Sequence, residues 1–326
     1  MIKILKIFNI FFRKTKIKQF HSIDEQNLYS LNMFNKAQIL FNSLKFNKAK
    51  IAMAQYRRYI NYNIFEKNMN SHNNDPKISV IIVAYNTNAL LIQCLDSLNN
   101  QTNQNYEVII VDNGKNDSVL STLKSMSVNY IRCPQNLILS EGRNIGVYFA
   151  KGEIISFLDD DAYVNSNFIE TIIEAFDKYN ILGFRGRVLP KTNNKNNNSV
   201  NHYDLGEYVI PSIMNAEGNS SVKKNIYQEF NGMDPLLFGH EGFEFSYRVS
   251  KKYGYYSFIY WPKTIIFHDY AVTDIKLYKK NDRHKLMNSY INKNFKQAKK
   301  YKNKMKYYIL NPNSNETVKI VESLYK

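Results

Sequence analysis

Between residues 77 and 179, four short apolar runs alternate with four stretches of helical spacing. Lys77–Ala84 (KISVIIVA), Tyr106–Val111, Val128–Arg132 and Glu153–Leu158 are rich in β-branched and bulky apolar residues. They are too short for buried helices and read as buried strands. Ala89–Leu98 sets Leu91, Cys94, Leu95 and Leu98 on one helical face, and Ser118–Met126, Glu141–Ala150 and Asn165–Tyr179 also read as helices. Strands joined by helical crossovers run parallel, with helices covering both faces of the sheet. The expected fold class is therefore α/β, with a doubly wound, mostly parallel sheet.

Such sheets take ligands where the C-terminal ends of their strands converge. Tyr85-Asn86, Asp112-Asn113-Gly114 and Asp159-Asp160-Asp161 follow three of the strands. Three adjacent carboxylates repel one another. They either hold a cation, shift their pKa values, or lie dispersed in a solvated loop.

The chain has 326 residues, 44% of them hydrophobic and 14% aromatic, enough for a sizeable core and outside the disordered class. Its net charge of +16 is unevenly placed. Residues 1–60 carry 12 Lys/Arg against 2 Asp/Glu, and residues 272–326 carry 14 against 4, which leaves the middle slightly acidic. Basic ends suit a polyanionic surface. No zinc-finger or nucleic-acid fingerprint is present, so the expected partner is an anionic membrane surface or glycan, not nucleic acid. The two cysteines, Cys94 and Cys133, exclude a disulfide framework and suit a reducing compartment. Residues 1–12 are broken by Lys3 and Lys6 and lack a small-residue cleavage site, so they do not read as a signal peptide. No run reaches the ~18–20 apolar residues of a spanning helix. The expected location is cytoplasmic, peripheral at the inner face of the cell membrane.

The organisation read from the sequence has three parts. Residues 1–70 form a basic helical region, in which 1–20 either lie in a membrane interface or dock on the body, and 24–67 are helical. The polar stretch 68–76 is a linker. Residues 77–270 form the central domain, with a nucleotide half over 77–188 and an acceptor half over 203–270. Between those halves, the Asn-rich stretch 191–201 is either a lid or an untethered surface loop. Glu241–Tyr253 reads as a helix and Tyr255–Tyr260 as a strand, followed by a Pro turn. Residues 271–326 are a basic helical extension.

Four segments together resemble the family 2 glycosyltransferases of the GT-A fold. They are Ser79–Asn86 (SVIIVAYN), Val108–Gly114 (VIIVDNG), Gly142–Gly146 (GRNIG) and Phe157–Asp161 (FLDDD). The resemblance implies metal-dependent transfer of a sugar from a nucleotide-diphospho-sugar, most often a UDP-sugar, to a hydroxyl of a glycan or lipid-linked glycan. It implies that Ala84, Tyr85 and Asn86 surround base and ribose, and that Asp112 accepts from a uracil-type imide. Arg143 offers a planar fork of donors to base or diphosphate, or forms a structural ion pair. Asp161 is the expected main ligand of Mg²⁺ or Mn²⁺, with Asp159 on metal or ribose, Asp160 beside them, and His268 as a further ligand. Asn231–Pro235 and Phe238–Arg248 resemble the acceptor-side motif, in which an acidic pair opens a helix and its second acid is the base of inverting members. That second position here is Gly242. The expected base is therefore Glu241, with His240 and Glu244 as acceptor-side alternatives. Glu244 and Arg248, four residues apart, also suit a simple helical ion pair. Retaining transfer, which needs no base there, and a catalytically inert binding protein are the competing readings.

Overall fold

A computed structural model describes residues 18–71, 73–85, 88–114, 118–191, 203–214, 218–268 and 274–326, with side chains omitted over 274–280. The expectations for the basic segment 1–17, for Asn86 and for the Asn-rich loop from 192 onward lie outside the described residues.

The chain opens with two helices, α1 (Ile23–Asn42) and α2 (Phe46–Tyr59). Ser22 caps α1, its Oγ accepting from the Glu25 amide, and the Glu25 carboxylate accepts from the amide of His21, one residue before the cap. The expected single helical region breaks at Leu44, whose φ is 59°. The expected linker also begins differently, because Glu66–Met69 forms an edge strand, β1, antiparallel to the later Asn129–Arg132.

The predicted alternation follows as β2 (Ile78–Ala84), α3 (Ala89–Asn99), β3 (Tyr106–Asp112), α4 (Leu120–Ser125), β4 (Asn129–Arg132), α5 (Ile138–Phe149), β5 (Ile154–Asp159), β6 (Tyr163–Val164) and α6 (Phe168–Lys178). Strands β7 (Gly183–Leu189), β8 (Ile210–Pro211) and β9 (Asn219–Lys223) come next, then α7 (Lys224–Glu229), α8 (Glu241–Tyr253) and β10 (Phe258–Phe267). The chain ends in α9 (Asp274–Asn294), α10 (Ala298–Leu310) and α11 (Asn315–Ser323). Among the described residues no helix is long and apolar enough to cross a membrane.

The strands form one sheet in the order β1-β4-β3-β2-β5-β9-β7-β10-β6, with β8 beside β10. β4, β3, β2 and β5 are parallel neighbours, and so are β7 and β10. β9 runs antiparallel between β5 and β7. The strand predicted over Tyr255–Tyr260 extends to Phe267, and no Pro turn ends it. Pro262 lacks a ladder donor, and a register shift between Trp261 and Ile265 carries β10 past it.

Alternation along the strands splits the core between the two faces. Ile81, Ile109, Val111, Ile131 and Phe157 pack with α1, α2, α5, α8, α9 and α10. Val80, Ile82, Val108, Ile110 and Leu158 pack with α3, α4, α6 and Val321 of α11. The two chain ends share the first cluster: Phe41 and Phe46 lie 5.1 and 5.2 Å from the Tyr290 ring.

Two glycines bring α5 onto the sheet. A Cβ at Gly142 would sit 2.6 Å from Val83 Cγ1, and one at Gly146 would sit 2.4 Å from Ile81 Cγ2. Both obstacles are branched core side chains with little room to move. Gly146→Ala is expected to lower stability by about 1–2 kcal/mol, overpacking outweighing the ~1 kcal/mol gained in helix propensity. The check is the urea midpoint, and a midpoint at or above wild type would show that Ile81 yields.

Candidate active site

Parallel register sets the predicted residues side by side. Ala84 pairs with Asp112 and Val83 with Asp159 across neighbouring strands, so the ends of β2, β3 and β5 meet at one rim. Asp160 accepts from the Tyr85 amide, which ties the end of β2 to the acid cluster. Tyr85 is 61% exposed there, whereas Ala84 is buried.

Asp112 is fully buried. Its Oδ1 accepts from the Gly114 amide at 2.8 Å and its Oδ2 from the Tyr130 hydroxyl at 2.6 Å, with Arg132 Nη2 at 3.5 Å. In this structure it braces the turn after β3. Asn113 carries the brace onward, accepting from the Leu137 amide and donating to the Ile138 carbonyl at the start of α5.

Arg143 projects from α5 and is 3% exposed. Its Nη1 donates to Glu241 Oε1 at 2.9 Å, and its Nη2 lies 3.6 Å from Asp159 Oδ1. Two segments about 80 residues apart in sequence thus meet on one guanidinium, whose two ends suit two carboxylates. Glu241 is the first residue of α8, and its Oε2 accepts from the Gly239 amide at 2.6 Å. Gly239 (φ +110°) and His240 (φ +66°) make the tight turn that brings this about.

The three acids differ in their surroundings. Burial pushes the Asp159 carboxyl up against the pull of Arg143 and His268. Asp160 is pushed up to about 7, by burial first and then by its two acidic neighbours. Asp161 is also disfavoured by burial, but its hydrogen bond to His268 and the nearby Lys191 outweigh that and hold it low. His268 is raised in turn, its bond to Asp161 overcoming its own desolvation. The pairing has a topological cause: β6 starts two residues after Asp161, β10 ends one residue before His268, and Tyr163 pairs with Phe267. The two rings stack at 4.8 Å.

Asp161 Oδ1 and His268 Nε2 are 2.9 Å apart. At that distance the imidazole donates a hydrogen bond to the carboxylate, and the two groups would hold a divalent cation only in place of the proton between them. Asp159 turns toward Arg143 instead, so two of the three expected ligands are brought together. Among the described residues no group of three His, Cys, Asp or Glu is arranged to hold a metal. A divalent ion here would complete its shell with phosphate and water oxygens.

The acceptor-side alternatives separate. Glu244 is buried and paired with Arg248 through both oxygens, at 2.6 and 2.9 Å. Arg248 also donates to the Phe230 and Gly232 carbonyls, so Glu244 holds the 230–232 turn through it. It lines a cavity of about 360 Å³ with Arg57, Asp234 and Tyr290, away from the three acids. His240 stays beside Glu241. Burial and the cations His284, Lys302 and Arg283 lower its pKa to about 4.

One neighbour of the acids escaped the sequence reading. A Cβ on Gly218 would meet the Asp159 carboxylate at 1.9 Å, so a side chain there would displace that carboxylate from its place beside Arg143. In the sequence it looks like any turn glycine.

Residues 79–240 match the sequence model of the family described as Glycosyl transferase family 2. This stretch, just under half of the chain, is similar to the family 2 glycosyltransferases. Glycosyltransferase GlyA of Streptococcus pneumoniae serotype 4 is 33% identical over 110 residues, covering 32% of this chain and 16% of that protein. The poly(ribitol-phosphate) beta-glucosyltransferase of Bacillus spizizenii is 34% identical over 141 residues, covering 37% of this chain and 22% of the relative. The chain thus spans less than a quarter of the length of these two curated relatives. Among solved structures, mannosyltransferase PcManGT from Pyrobaculum calidifontis, in complex with GDP-Man and Mn²⁺, is 14% identical with a TM-score of 0.50, covering 81% of this chain and 72% of that one. This likeness bears on the fold, which is GT-A.

The Arg143–Glu241 pair is almost wholly buried, with side chains 4% and 2% exposed. Arg143→Met would strand the Glu241 carboxylate without its partner. Removing one member of a buried pair costs about 3–5 kcal/mol. That loss is expected in urea unfolding, and the double variant Arg143→Met/Glu241→Leu is expected to regain much of it.

Proposed function

We propose that this chain transfers a sugar from a nucleotide-diphospho-sugar to a hydroxyl of a glycan or lipid-linked glycan. The observation that carries the proposal is the Arg143 bridge between Asp159 at the nucleotide side and Glu241 at the acceptor side. It gathers the two halves of a transfer site at the rim where parallel sheets bind ligands. The relatives named above are glycosyltransferases, and PcManGT is recorded with a nucleotide-sugar and Mn²⁺, the ligand classes these residues suit.

On this proposal the donor base lies against the ends of β2 and β3, near Ala84–Asn86. Asp112 is fully buried on the Gly114 amide, the Tyr130 hydroxyl and Arg132, so it would shape the base site by holding the turn after β3, and would meet a uracil-type imide only by exchanging one of these partners. UDP is the proposed carrier. Asp161 and His268 are the residues that would hold a divalent cation. When bound, that ion would offset the charge growing on the departing diphosphate. Arg143 fixes Asp159 and Glu241 relative to each other. Glu241 would take the acceptor proton, the hydroxyl approaching over the Gly239 turn. Inversion follows if this is the base. The full engagement of both Glu241 oxygens favours a second reading, in which Glu241 only positions Arg143 and transfer proceeds with retention.

Hydrolysis of a nucleotide-sugar panel with Mg²⁺ or Mn²⁺ tests the main proposal. UDP-sugar hydrolysis that needs metal is expected, and Asp161→Asn is expected to abolish it along with the rise in melting temperature given by Mn²⁺ with UDP. No turnover or binding of any nucleotide-sugar would reject the proposal. Glu241→Gln is expected to lower transfer about a hundredfold or more while donor binding persists. Transfer near the wild-type rate, with a retained anomeric configuration in the product, would assign the base-free reading instead.

A further inference from the structure

The turn before α8 is covered by a cationic group that the chemistry above does not use. Arg283 of α9 stacks on the Phe238 ring, with its guanidinium carbon 4.1 Å from the centroid. Its Nε is buried without a hydrogen-bond partner among the described residues. His240 Nε2 is likewise buried without one. The His284 ring lies 4.9 Å from that of His240, and both Arg283 and His284 lie within about 4 Å of where a Gly239 Cβ would be. Exposed Lys302 adds a third cation, its ammonium 5.7 Å from the Phe243 ring.

Among the described residues the charge of Arg283 is only partly met. The carboxylate acting on Arg283 is Glu241, and both Glu241 oxygens are committed to Arg143 and the Gly239 amide. The Arg283 guanidinium is destabilised by burial, which Glu241 only partly offsets. A partly desolvated guanidinium without a bidentate partner among the described residues suits a phosphate, whose oxygens match its fork. On the glycosyl-transfer reading the donor diphosphate is assigned to Asp161 and His268, neither of which is among the residues of this cluster.

We propose that Arg283, His240 and His284 bind a phosphate group on the acceptor. The inference rests on the glycosyl-transfer reading and narrows it: the acceptor is a phosphate-bearing glycan. The phosphate is either part of the glycan polymer or the diphosphate that joins the glycan to a lipid.

The test uses the full chain with donor and metal, and three acceptor probes: a polyol-phosphodiester oligomer, the same oligomer without phosphate, and a sugar on a short-chain prenyl diphosphate. The phosphate-bearing probes are expected to be preferred, and the better of the two identifies the source. Arg283→Gln is expected to shrink the ratio of kcat/KM between phosphate-bearing and phosphate-free probes about tenfold to a hundredfold, mainly through KM, while Arg283→Lys keeps part of the preference. Equal use of all probes by wild type overturns the inference, as does an Arg283→Gln loss that is the same for every probe, which would leave Arg283 as a support for Phe238. A second readout needs no turnover. With UDP and Mg²⁺ filling the donor side, millimolar inorganic phosphate is expected to shift the His240 and His284 ring resonances saturably in wild type and not in Arg283→Gln. Absence of that shift in wild type overturns the inference. Failure to engage any nucleotide-sugar strikes the transfer reading instead.

Discussion

One buried guanidinium organises the site. A charge out of water is unfavourable unless partnered, so Arg143 demands carboxylates at both of its ends. It gets Glu241 from the start of α8 and Asp159 from the end of β5. Each partner is then fixed by a glycine. Gly218 leaves the room that Asp159 occupies, and Gly239 turns its amide onto Glu241. The reach of Arg143 depends in turn on α5 lying close to β2, which Gly142 and Gly146 permit.

The parts of the fold that follow a simple period were legible in the sequence. β2, β3, β5 and α8 appear within a residue or so of their expected limits because their apolar residues face one environment over their whole length. β7 and β9 were not legible. β7 carries Arg185 and Arg187 inside a buried strand, where Arg185 donates to the Tyr203 carbonyl and lies over the Tyr260 ring. β9 buries Ser220 and Ser221, and Ser221 bonds Ser156 across the strands, so its sequence looks like a loop. Both strands satisfy polar groups by tertiary contacts that no local pattern announces.

The candidate site was legible by residue type and less so by partner. The acids, Arg143, Glu241 and His268 could be named from the sequence, but which of them touch is a matter of topology. Asp161 finds His268 and Asp159 finds Arg143. Glu244 looked equally suited to chemistry, and Arg248 four residues on takes both of its oxygens. Arg283 had no local signal, because its meaning comes from α9 crossing over the Phe238–His240 turn. The chain ends contribute here through packing as well as charge, since Tyr290 of α9 rests on Phe41 and Phe46 near the start of the chain.

The short β6–β10 ladder has a consequence for how such a chain can diverge. Residues between Val164 and Ile266 can be added or lost in loops without separating Asp161 from His268, provided Tyr163 still faces Phe267. A slip of a single residue in that ladder would turn the imidazole to the opposite side of the sheet, with every residue of the motif still present. The Asp161–His268 pairing is thus stored in strand alignment, and a reading frame of motifs alone would not reveal its loss.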